Sequence, residues 1–506
     1  MNAVTTELSI TLTAVFCLFL PGLHAAEPPP TRTPIVRAVD LDVNEAQDVE
    51  LSDGSRARVK LLRLLETRDA YREAVRQARV QIEVNGQSLV LTSATYHLPV
   101  TVAGVQIDCP ITKGYVGNSS QGNAWGLLKD ARLRLWPARS PWIEPGTFGY
   151  PLKQRWFASG TQMANEPTFV DGGEAPNAKK IYYHYGLDSG GAEGMVDIVA
   201  ATAGRVISSG KELLPGYEET PAKPRYDVVY LLDDRGWYYR YSHLLTIDPA
   251  VRPGAQISLG QKIGVLGKEG GSGGWSHLHF DITSRQPSGL WGIQEAYAFF
   301  WETYQRQYAP KILAVARPHH FVSTGEKVVL DGSKSWSASG RVTRYEWTFT
   351  DGSSASGPIV ERTYAQPGFY SEILKITDPR GEIDYDFAVV DVIDNSAPEQ
   401  LPPSIHAVFA PTTGIRAGDP VTFKVRTFKT TAGHETWDFG DGSETVAVKS
   451  DGNVNMHAKD GYAVTQHRFR KPGHYLVRVE RTNERGLSAI AHLHVAVEAA
   501  AKNPGN

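Results

Sequence analysis

The stretch GGWSHLHFDI, residues 273–282, places two histidines one residue apart directly after a run of glycines. Successive side chains of a β-strand point to opposite faces of the sheet. A strand here would direct His277 and His279 to one face, and Leu278 and Phe280 to the other. The stretch therefore predicts a strand of a β fold in which two imidazoles share a cleft.

Spacing alone gives this pair no function, because AHLHV near the C-terminus repeats it with His492 and His494. An isolated pair of this kind is ordinarily two solvated histidines on an exposed strand. The first pair differs from the second in the ligand-type residues that lie upstream of it. Upstream lies YYHYGLDSGG, in which His184 and Asp188 stand four residues apart. The residues at 189–191 predict a loop bend that would let a nitrogen and an oxygen ligand converge.

One histidine of the first pair would complete a set of two imidazoles and one carboxylate. That set is typical of catalytic zinc sites, where three protein ligands leave the fourth tetrahedral position to water. Bound zinc can lower the pKa of water from about 15.7 to about 7 and can polarise a substrate carbonyl. The chain has 2 cysteines, so a thiolate-rich metal site is excluded.

The chain has 506 residues, which predicts several domains. Its net charge of -3 gives no electrostatic reason to expect nucleic acid. Residues 1–26 predict a cleaved signal peptide, with an uncleaved anchor as the alternative because MNAVTTE carries no Lys or Arg. Cys17 would leave with the signal, and Cys109 would then have no disulfide partner. We predict a secreted or periplasmic protein with no transmembrane segment in the mature chain.

Residues 27–150 predict a mostly β domain, with Asn85-Gly86 as a hairpin turn. The stretch RDAYREAVRQARV, residues 68–80, predicts a short helix in that domain. Residues 151–306 predict a second β domain, in which DVVYLLDDRGWYYRYSHL forms two strands joined by a turn at 233–236. Helical spacing of apolar residues in GIQEAYAFFWETYQRQY, residues 292–308, predicts a terminal helix.

An internal repeat follows. YEWTFTDGS, residues 345–353, is echoed by ETWDFGDGS, residues 435–443. The repeats resemble polycystic kidney disease (PKD) domains, which implies two β-sandwiches at 307–396 and 403–498, each with a buried tryptophan. Such modules would contact polysaccharide or protein. Asp351 and Asp441 are interpreted as turn residues rather than calcium ligands. His492 and His494 would lie on the last strand of the second sandwich, at its surface.

Several motifs together resemble the lysostaphin-like zinc endopeptidases, which cleave the peptide part of peptidoglycan. HYGLD, ATAGRVISSG, YSHL, GQKIGVLG and SHLHFDI occur in the family's order and approximate spacing, across roughly residues 180 to 285. The sequence departs from the family in two places. Asp281 stands where Glu is frequent, and Trp275-Ser276 stands where Pro often precedes the first histidine.

The resemblance implies His184, Asp188 and His279 as zinc ligands. It implies His243 and His277 as catalytic histidines, able to orient or deprotonate water and to pass a proton to the leaving amine.

Two further expectations concern the surroundings of these residues. Alternation of Tyr239, Tyr241 and His243 on one strand face is expected to deliver His243 to the cleft. The glycines of GKEGGSGG are expected to let an extended substrate backbone approach closely. Asn165 is a weaker candidate for a residue that blocks or completes the metal site.

The sequence thus predicts a mainly β, secreted, zinc-dependent metalloendopeptidase that hydrolyses peptide bonds in peptidoglycan peptides. The alternative from another class is a non-catalytic surface-binding or regulatory protein that retains the peptidase fold. Presence of all three ligands favours the enzyme. A zinc peptidase that acts on extracellular proteins is a third interpretation.

Overall fold

The computed structural model describes residues 29–69, 72–93, 96–161, 180–397 and 400–499. Within these ranges nearly all regular structure is β, in 35 strands with two helices, which confirms the predicted fold class. The predicted signal peptide at 1–26, with Cys17, and Asn165 lie outside the described residues. In the described part of the chain, Cys109 is buried and forms no disulfide.

The N-terminal region forms two four-stranded antiparallel sheets, ordered β2-β3-β4-β5 and β1-β8-β7-β6, around one apolar core. Its elements are β1 Arg37–Leu41, β2 Ala46–Glu50, β3 Arg56–Arg68, β4 Val75–Val84, β5 Gln87–Thr92, β6 Val100–Val102, β7 Val105–Thr112, α1 Gly114–Gly117 and β8 Ala131–Pro137. Asn85 has a φ of 48° and Gly86 has a φ of 83°. This backbone confirms the predicted hairpin turn.

The helix predicted over residues 68–80 is wrong. Strand β4 begins at Val75 and pairs with β3 as far as Arg68. Val80, Ile82 and Val84 alternate into the core with no exposed surface. Long-range pairing and burial of this alternating run outweigh the helical spacing of the residues before it.

The central region is built on an eight-stranded sheet ordered β12-β11-β13-β14-β18-β19, with β16 paired to β11 and β9 paired to β18. A three-stranded sheet, β10-β17-β15, lies beside it. The strands are β9 Leu187–Gly190, β10 Asp197–Val199, β11 Gly204–Ser209, β12 Glu212–Leu213, β13 Val229–Leu232, β14 Tyr238–Ser242, β15 Leu244–Ile247, β16 Gln256–Ile257, β17 Lys262–Leu266, β18 His277–Arg285 and β19 Trp291–Ile293.

Helix α2, Tyr297–Tyr308, closes this region and confirms the predicted terminal helix. It begins later than the apolar spacing suggests, because Ile293 belongs to β19. The helix buries Phe299, Phe300 and Trp301 in the aromatic core beneath β18. Ring contacts between Phe280 and Phe300, with centroids 4.9 Å apart, hold the back of β18 in place.

Two sandwiches follow, each with a buried tryptophan, as predicted: Trp347 is 1% exposed and Trp437 is 0% exposed. The first sandwich comprises β20 Ile312–Leu313, β21 His320–Ser323, β22 Lys327–Asp331, β23 Trp336–Ser337, β24 Arg344–Thr348, β25 Ser354–Ser356, β26 Ile359–Thr363, β27 Gly368–Thr377 and β28 Ile383–Ile393. The C-terminal sandwich comprises β29 Ser404–Ala410, β30 Val421–Phe428, β31 Glu435–Asp438, β32 Val446–Val448, β33 Ala463–His467, β34 Gly473–Thr482 and β35 Ser488–Val497. Strands β27 and β35 pair in parallel, which joins the two sandwiches edge to edge.

Both Asp-Gly turns of the sandwiches close on themselves. Asp351 accepts a hydrogen bond from the Ser353 backbone N–H, and Asp441 accepts one from that of Ser443. Arg362 and His467 pair with the two carboxylates. These contacts favour the turn interpretation over calcium ligation.

No helix among the described residues combines the length and the apolar character needed to cross a membrane.

Candidate active site

The histidine strand β18 lies between β14 and β9 in the central sheet. Its alternation is as predicted: Leu278 and Phe280 are in the apolar core, and His277 and His279 face away from it toward Asp188. The bend predicted at 189–191 is wrong in its first part, because Leu187–Gly190 is a strand. Asp188 is the antiparallel partner of His279 in that pairing. Strand pairing, rather than a loop, therefore brings the carboxylate to the imidazole.

Three side chains converge beside β18. Nε2 of His184 lies 3.2 Å from Nδ1 of His279 and 3.1 Å from Oδ2 of Asp188. Nδ1 of His279 lies 2.9 Å from Oδ1 of Asp188. One ligand atom from each of the three residues can be chosen so that all lie within 4.8 Å of one another, and all three residues are buried. Tetrahedral zinc with ligands at about 2.1 Å would separate them by about 3.4 Å, so the donor set fits such an ion.

The other ring nitrogen of His279 has a partner of its own. Nε2 lies 3.1 Å from Oδ2 of Asp281, which also pairs with Arg240. An Nε2–H that donates to this carboxylate leaves the Nδ1 lone pair free to face Asp188 and His184. Carboxylates behind a ligating histidine commonly fix its tautomer in this way. From the sequence alone, Asp281 is a departure from the family pattern and has no predicted role.

His277 lies beside this set. Its Nδ1 is 3.0 Å from the carbonyl oxygen of Trp275, to which it can donate, and its Nε2 is 3.3 Å from Oδ2 of Asp188. The donation to a backbone carbonyl leaves Nε2 as the unprotonated nitrogen of a neutral imidazole. The structure therefore places His277 next to the three-residue set with an acceptor atom toward it.

His243 reaches the same cleft by a route that sequence analysis did not predict. Tyr239 and Tyr241 point into the aromatic core, and Tyr241 contacts Phe280 with centroids 5.3 Å apart. Continued alternation would have buried His243 in that core as well. Instead its backbone has φ of 68°, an uncommon conformation for a residue other than glycine. This turn brings its ring to 4.7 Å from that of His277.

Two residues absent from the sequence predictions support the strained position of His243. Its backbone N–H donates to Oδ2 of Asp227 at 3.0 Å, and Asp227 is paired with Arg225. Its ring Nδ1 lies 2.6 Å from the carbonyl oxygen of Glu269. Strained backbone of this kind persists where surrounding contacts determine it. No local signal in the sequence marks Asp227, because its partner lies 16 residues further along the chain.

Burial sets the charge of the site. Burial alone would raise the pKa of the Asp188 carboxyl, but the surrounding imidazoles outweigh it and hold that pKa well below its usual value. Burial lowers the pKa of His243 to about 3 and also lowers the pKa of His277. At neutral pH the site therefore presents an ionised carboxylate next to two neutral imidazoles.

A cavity of about 370 Å³ lies beside these residues on the same face of the sheet. Its lining includes Asp281 and Thr283 of β18 and Arg240 of β14, with Tyr185 at the end nearest the histidines. The ring of Tyr185 lies 5.7 Å from that of His279. An extended chain could therefore run along the sheet from the three-residue set.

The glycine-rich loop, residues 267–276, stands at the other end of β18. Gly270, Gly273 and Gly274 all have positive φ, which glycine adopts at least cost. A Cβ on Gly274 would lie 2.1 Å from Oδ1 of Asn453 in the C-terminal sandwich. Among the described residues, the segment that approaches Gly274 closely therefore belongs to the C-terminal sandwich of the same chain.

The C-terminal histidine pair lies elsewhere and is less exposed than predicted. His494 is 6% exposed, so its predicted surface position is wrong. It lies 3.2 Å from Asp384 of the first sandwich and 3.1 Å from Arg155 of the central region. This burial arises because three regions of the chain meet at that strand.

Three sequence profiles, which represent two kinds of known domain, match the chain. That of peptidase family M23 matches residues 182–288, and PKD domain profiles match residues 308–392 and 406–497. The chain contains a peptidase family M23 domain followed by two PKD domains. The M23 match begins just before His184, ends just after β18 and includes Asp188, His243, His277 and His279.

Solved structures resemble parts of the chain at low identity. A Ruminococcus gnavus protein described as a glycyl-glycine endopeptidase, LytM, is 18% identical, over 22% of this chain and 42% of its own length, with a TM-score of 0.18. Csd3 of Helicobacter pylori is 15% identical, over 49% of this chain and 82% of its own, with a TM-score of 0.21. Fibronectin(III)-like modules of Clostridium thermocellum CbhA are 12% identical, over 38% and 98%, with a TM-score of 0.16. Scores of this size carry no functional information.

Proposed function

We propose that the protein is a secreted zinc metalloendopeptidase that hydrolyses peptide bonds in the peptides of peptidoglycan. The observation that carries the proposal is the convergence of Nε2 of His184, Nδ1 of His279 and the Asp188 carboxylate within the M23 domain. Two imidazoles and one carboxylate leave one position of a tetrahedral ion open, as catalytic sites require.

His184, Asp188 and His279 would hold the zinc. Zinc bound by these residues would supply a Lewis acid for the scissile carbonyl and would make water acidic enough to lose a proton at neutral pH. Asp188 compensates the charge of the ion. Asp281 holds the ring of His279, since its carboxylate lies 3.1 Å from Nε2.

His243 and His277 would accept and donate protons during the reaction. Each ring can donate its Nδ1–H to a backbone carbonyl, of Glu269 and of Trp275 respectively. Each ring then offers Nε2 as a base that can accept a proton from the attacking water and return it to the leaving amine. Their lowered pKa values keep both nitrogens free to accept that proton at neutral pH.

Peptidoglycan peptides are the proposed substrate because the motifs around these residues resemble those of the lysostaphin-like endopeptidases. The cavity lined by Tyr185, Asp281 and Thr283 offers space for an extended peptide beside β18. We propose that the PKD domains extend the protein or contact polysaccharide or protein outside the cell. We also propose that the domains have the boundaries predicted from the sequence, 27–150, 151–306, 307–396 and 403–498.

The test is incubation of purified wild-type protein and His277→Ala with purified peptidoglycan, followed by mass analysis of the soluble fragments. Wild type is expected to release fragments cut at peptide bonds, and the variant is expected to release them at least about 10²-fold more slowly. A matched incubation with a denatured extracellular protein separates a wall peptidase from a general one. Binding to peptidoglycan without any released fragment would favour the non-catalytic alternative.

A further inference from the structure

The C-terminal sandwich is bound to the glycine-rich loop by hydrogen bonds to its backbone. Three side chains of the sandwich contact three carbonyl oxygens of the loop: His457 Nε2 lies 2.8 Å from Gly270 O, Asn453 Nδ2 3.0 Å from Gly273 O, and Arg426 Nη1 3.0 Å from Gly274 O. Arg426 is fixed in turn by Asp451, at 2.6 Å. The loop is therefore held along much of its length by residues that lie 152 to 187 positions further on in the chain.

The last residues of the loop are held more tightly still. The indole of Trp275 stacks on the ring of Phe428, with centroids 4.4 Å apart and an interplanar angle of 8°. Trp275 is 2% exposed, so the sandwich covers it almost completely. The backbone N–H of Ser276 donates to the hydroxyl of Tyr462 at 2.8 Å.

These two contacts act on the residues that orient His277. Nδ1 of His277 donates to the carbonyl of Trp275, and Ser276 lies between them. A shift of the peptide between Trp275 and Ser276 would move the acceptor that determines which nitrogen of His277 carries the proton. The sandwich therefore determines where that acceptor lies.

A second arm of the same network reaches Asp188. The hydroxyl of Tyr462 lies 2.7 Å from Nδ1 of His406, and Nε2 of His406 lies 3.3 Å from Oγ of Ser159. Ser159 Oγ lies 3.3 Å from the Thr161 hydroxyl, which donates to the backbone carbonyl of Asp188 at 3.0 Å. His406 and Tyr462 thus stand between the backbone of Asp188 and the backbone that precedes His277.

We propose that Tyr462 and His406 of the C-terminal sandwich are positioning residues of the active site, which they complete by fixing the loop before His277 relative to the strand of Asp188. The inference rests on the proposed function, because His277 and Asp188 have their roles there. On this view the second PKD domain is a structural part of the catalytic unit as well as an appended module.

The test compares full-length wild type with Tyr462→Phe, which keeps the ring and removes the hydroxyl. We expect kcat on a peptidoglycan peptide to fall roughly 10- to 100-fold, with KM and zinc content unchanged, since small misplacements of catalytic groups cost rates of this order. His406→Phe, which keeps a ring beside Trp275 but loses the hydrogen bonds to Tyr462 and Ser159, is the second variant and is expected to behave alike. This second variant also tests the proposal if Tyr462→Phe folds poorly.

Tyr475→Phe is the matched control. Tyr475 belongs to the same sandwich, and its hydroxyl donates to the carbonyl of Lys471 at an exposed site. Removing that hydroxyl should leave kcat unchanged. A role of Tyr462 in sandwich stability alone would lower the melting temperature and leave kcat per folded, zinc-loaded molecule unchanged, which would overturn the proposal.

A readout independent of activity is the Nδ1–H proton of His277, observed by NMR in protein labelled with ¹⁵N-histidine and assigned by its loss in His277→Gln. We expect this signal to shift or broaden in Tyr462→Phe and in His406→Phe, and to stay unchanged in Tyr475→Phe. An unchanged signal in the first two variants would overturn the proposal. If wild type hydrolyses nothing, the proposed function fails, but the NMR comparison still decides whether the sandwich positions His277.

Discussion

The chain carries two histidine pairs of identical spacing, each on a long antiparallel strand and each near a carboxylate and a further histidine. His279 lies near Asp188 and His184, and His494 lies near Asp384 and His474. Both groups therefore contain the side chains of a zinc site. The spacing within each pair and the types of side chain around it do not separate the two groups.

Geometry separates them. Nδ1 of His279 faces both His184 and Asp188, so donor atoms converge on one point. His494 turns Nδ1 toward Asp384 but Nε2 toward His474, at 2.8 Å. Nitrogens on opposite sides of one ring cannot bind a common ion.

A cation already neutralises the second group. Arg155 lies 3.2 Å from Asp384 and donates to the carbonyl of His494 at 2.8 Å. A buried carboxylate with a guanidinium partner is satisfied without metal. The difference between the two groups indicates what zinc binding requires. Lone pairs of nitrogen and oxygen atoms must converge on one point, and the carboxylate must have neighbours that carry no positive charge.

The largest effect expected from this comparison is loss of metal. His184→Ala and Asp188→Ala should each lose bound zinc and lower kcat/KM by more than about 10³-fold, because three ligands are the minimum of such a site. Inductively coupled plasma mass spectrometry and a peptidoglycan assay measure both. His474→Ala and Asp384→Ala are the matched controls and should keep a full complement of zinc. Zinc loss in the controls would show that the second group also binds metal.

Within the first pair, the two histidines should differ. His279→Ala should lose zinc, whereas His277→Ala should keep it and lower kcat by about 10² to 10⁴, the usual contribution of general acid–base catalysis. The measurement is zinc content alongside kcat for both variants. If the metal is lost in His277→Ala and kept in His279→Ala, the two assignments are exchanged.

The second pair should affect stability as a function of pH. Burial and nearby Arg155 lower the pKa of His494 from 6.5 to about 4. The unfolded chain therefore takes up a proton first as pH falls, so stability is complete above about pH 6.5 and decreases toward pH 4. At pH 5 the loss is on the order of 2 kcal/mol.

Thermal unfolding at about pH 7.5 and about pH 5 checks this expectation. His494→Gln should show a smaller change between the two pH values than wild type. His434→Gln, at an exposed position of the same sandwich, should behave like wild type. Equal pH dependence in His494→Gln and wild type would contradict the prediction.

The smallest effect expected is that of the second pair on catalysis. A variant with both His492→Gln and His494→Gln should keep kcat/KM within about twofold, measured at a temperature where it is fully folded. Among the described residues, neither imidazole of the second pair contacts His184, Asp188 or His279. A large loss would mean that the interface of Arg155 is coupled to the active site.

Much of the site could be read from the sequence, for particular reasons. Alternation in β18 places His277 and His279 on one face whatever the rest of the fold, because the strand period is two. The resemblance of several motifs named His184, Asp188 and His243. The role of Asp281, behind His279, could have been inferred from the same alternation, since it continues the series 277, 279, 281.

Other parts depended on contacts between distant segments. The conformation of His243 requires Asp227, and the helix predicted over 68–80 gives way to a strand through its pairing with β3. Tyr462 and His406 approach the site only because the C-terminal sandwich folds back onto the glycine-rich loop. No spacing rule reports a contact across 186 residues.

The sequence by itself determined which side chains are available and which of them share a strand face, since local backbone geometry controls both. Tertiary structure alone decided which nitrogen of each ring faces a partner, and whether an arginine or an open position stands beside the carboxylate. These choices depend on distances of about 3 Å between atoms far apart in the chain. Such distances are set by how the sheets and sandwiches pack.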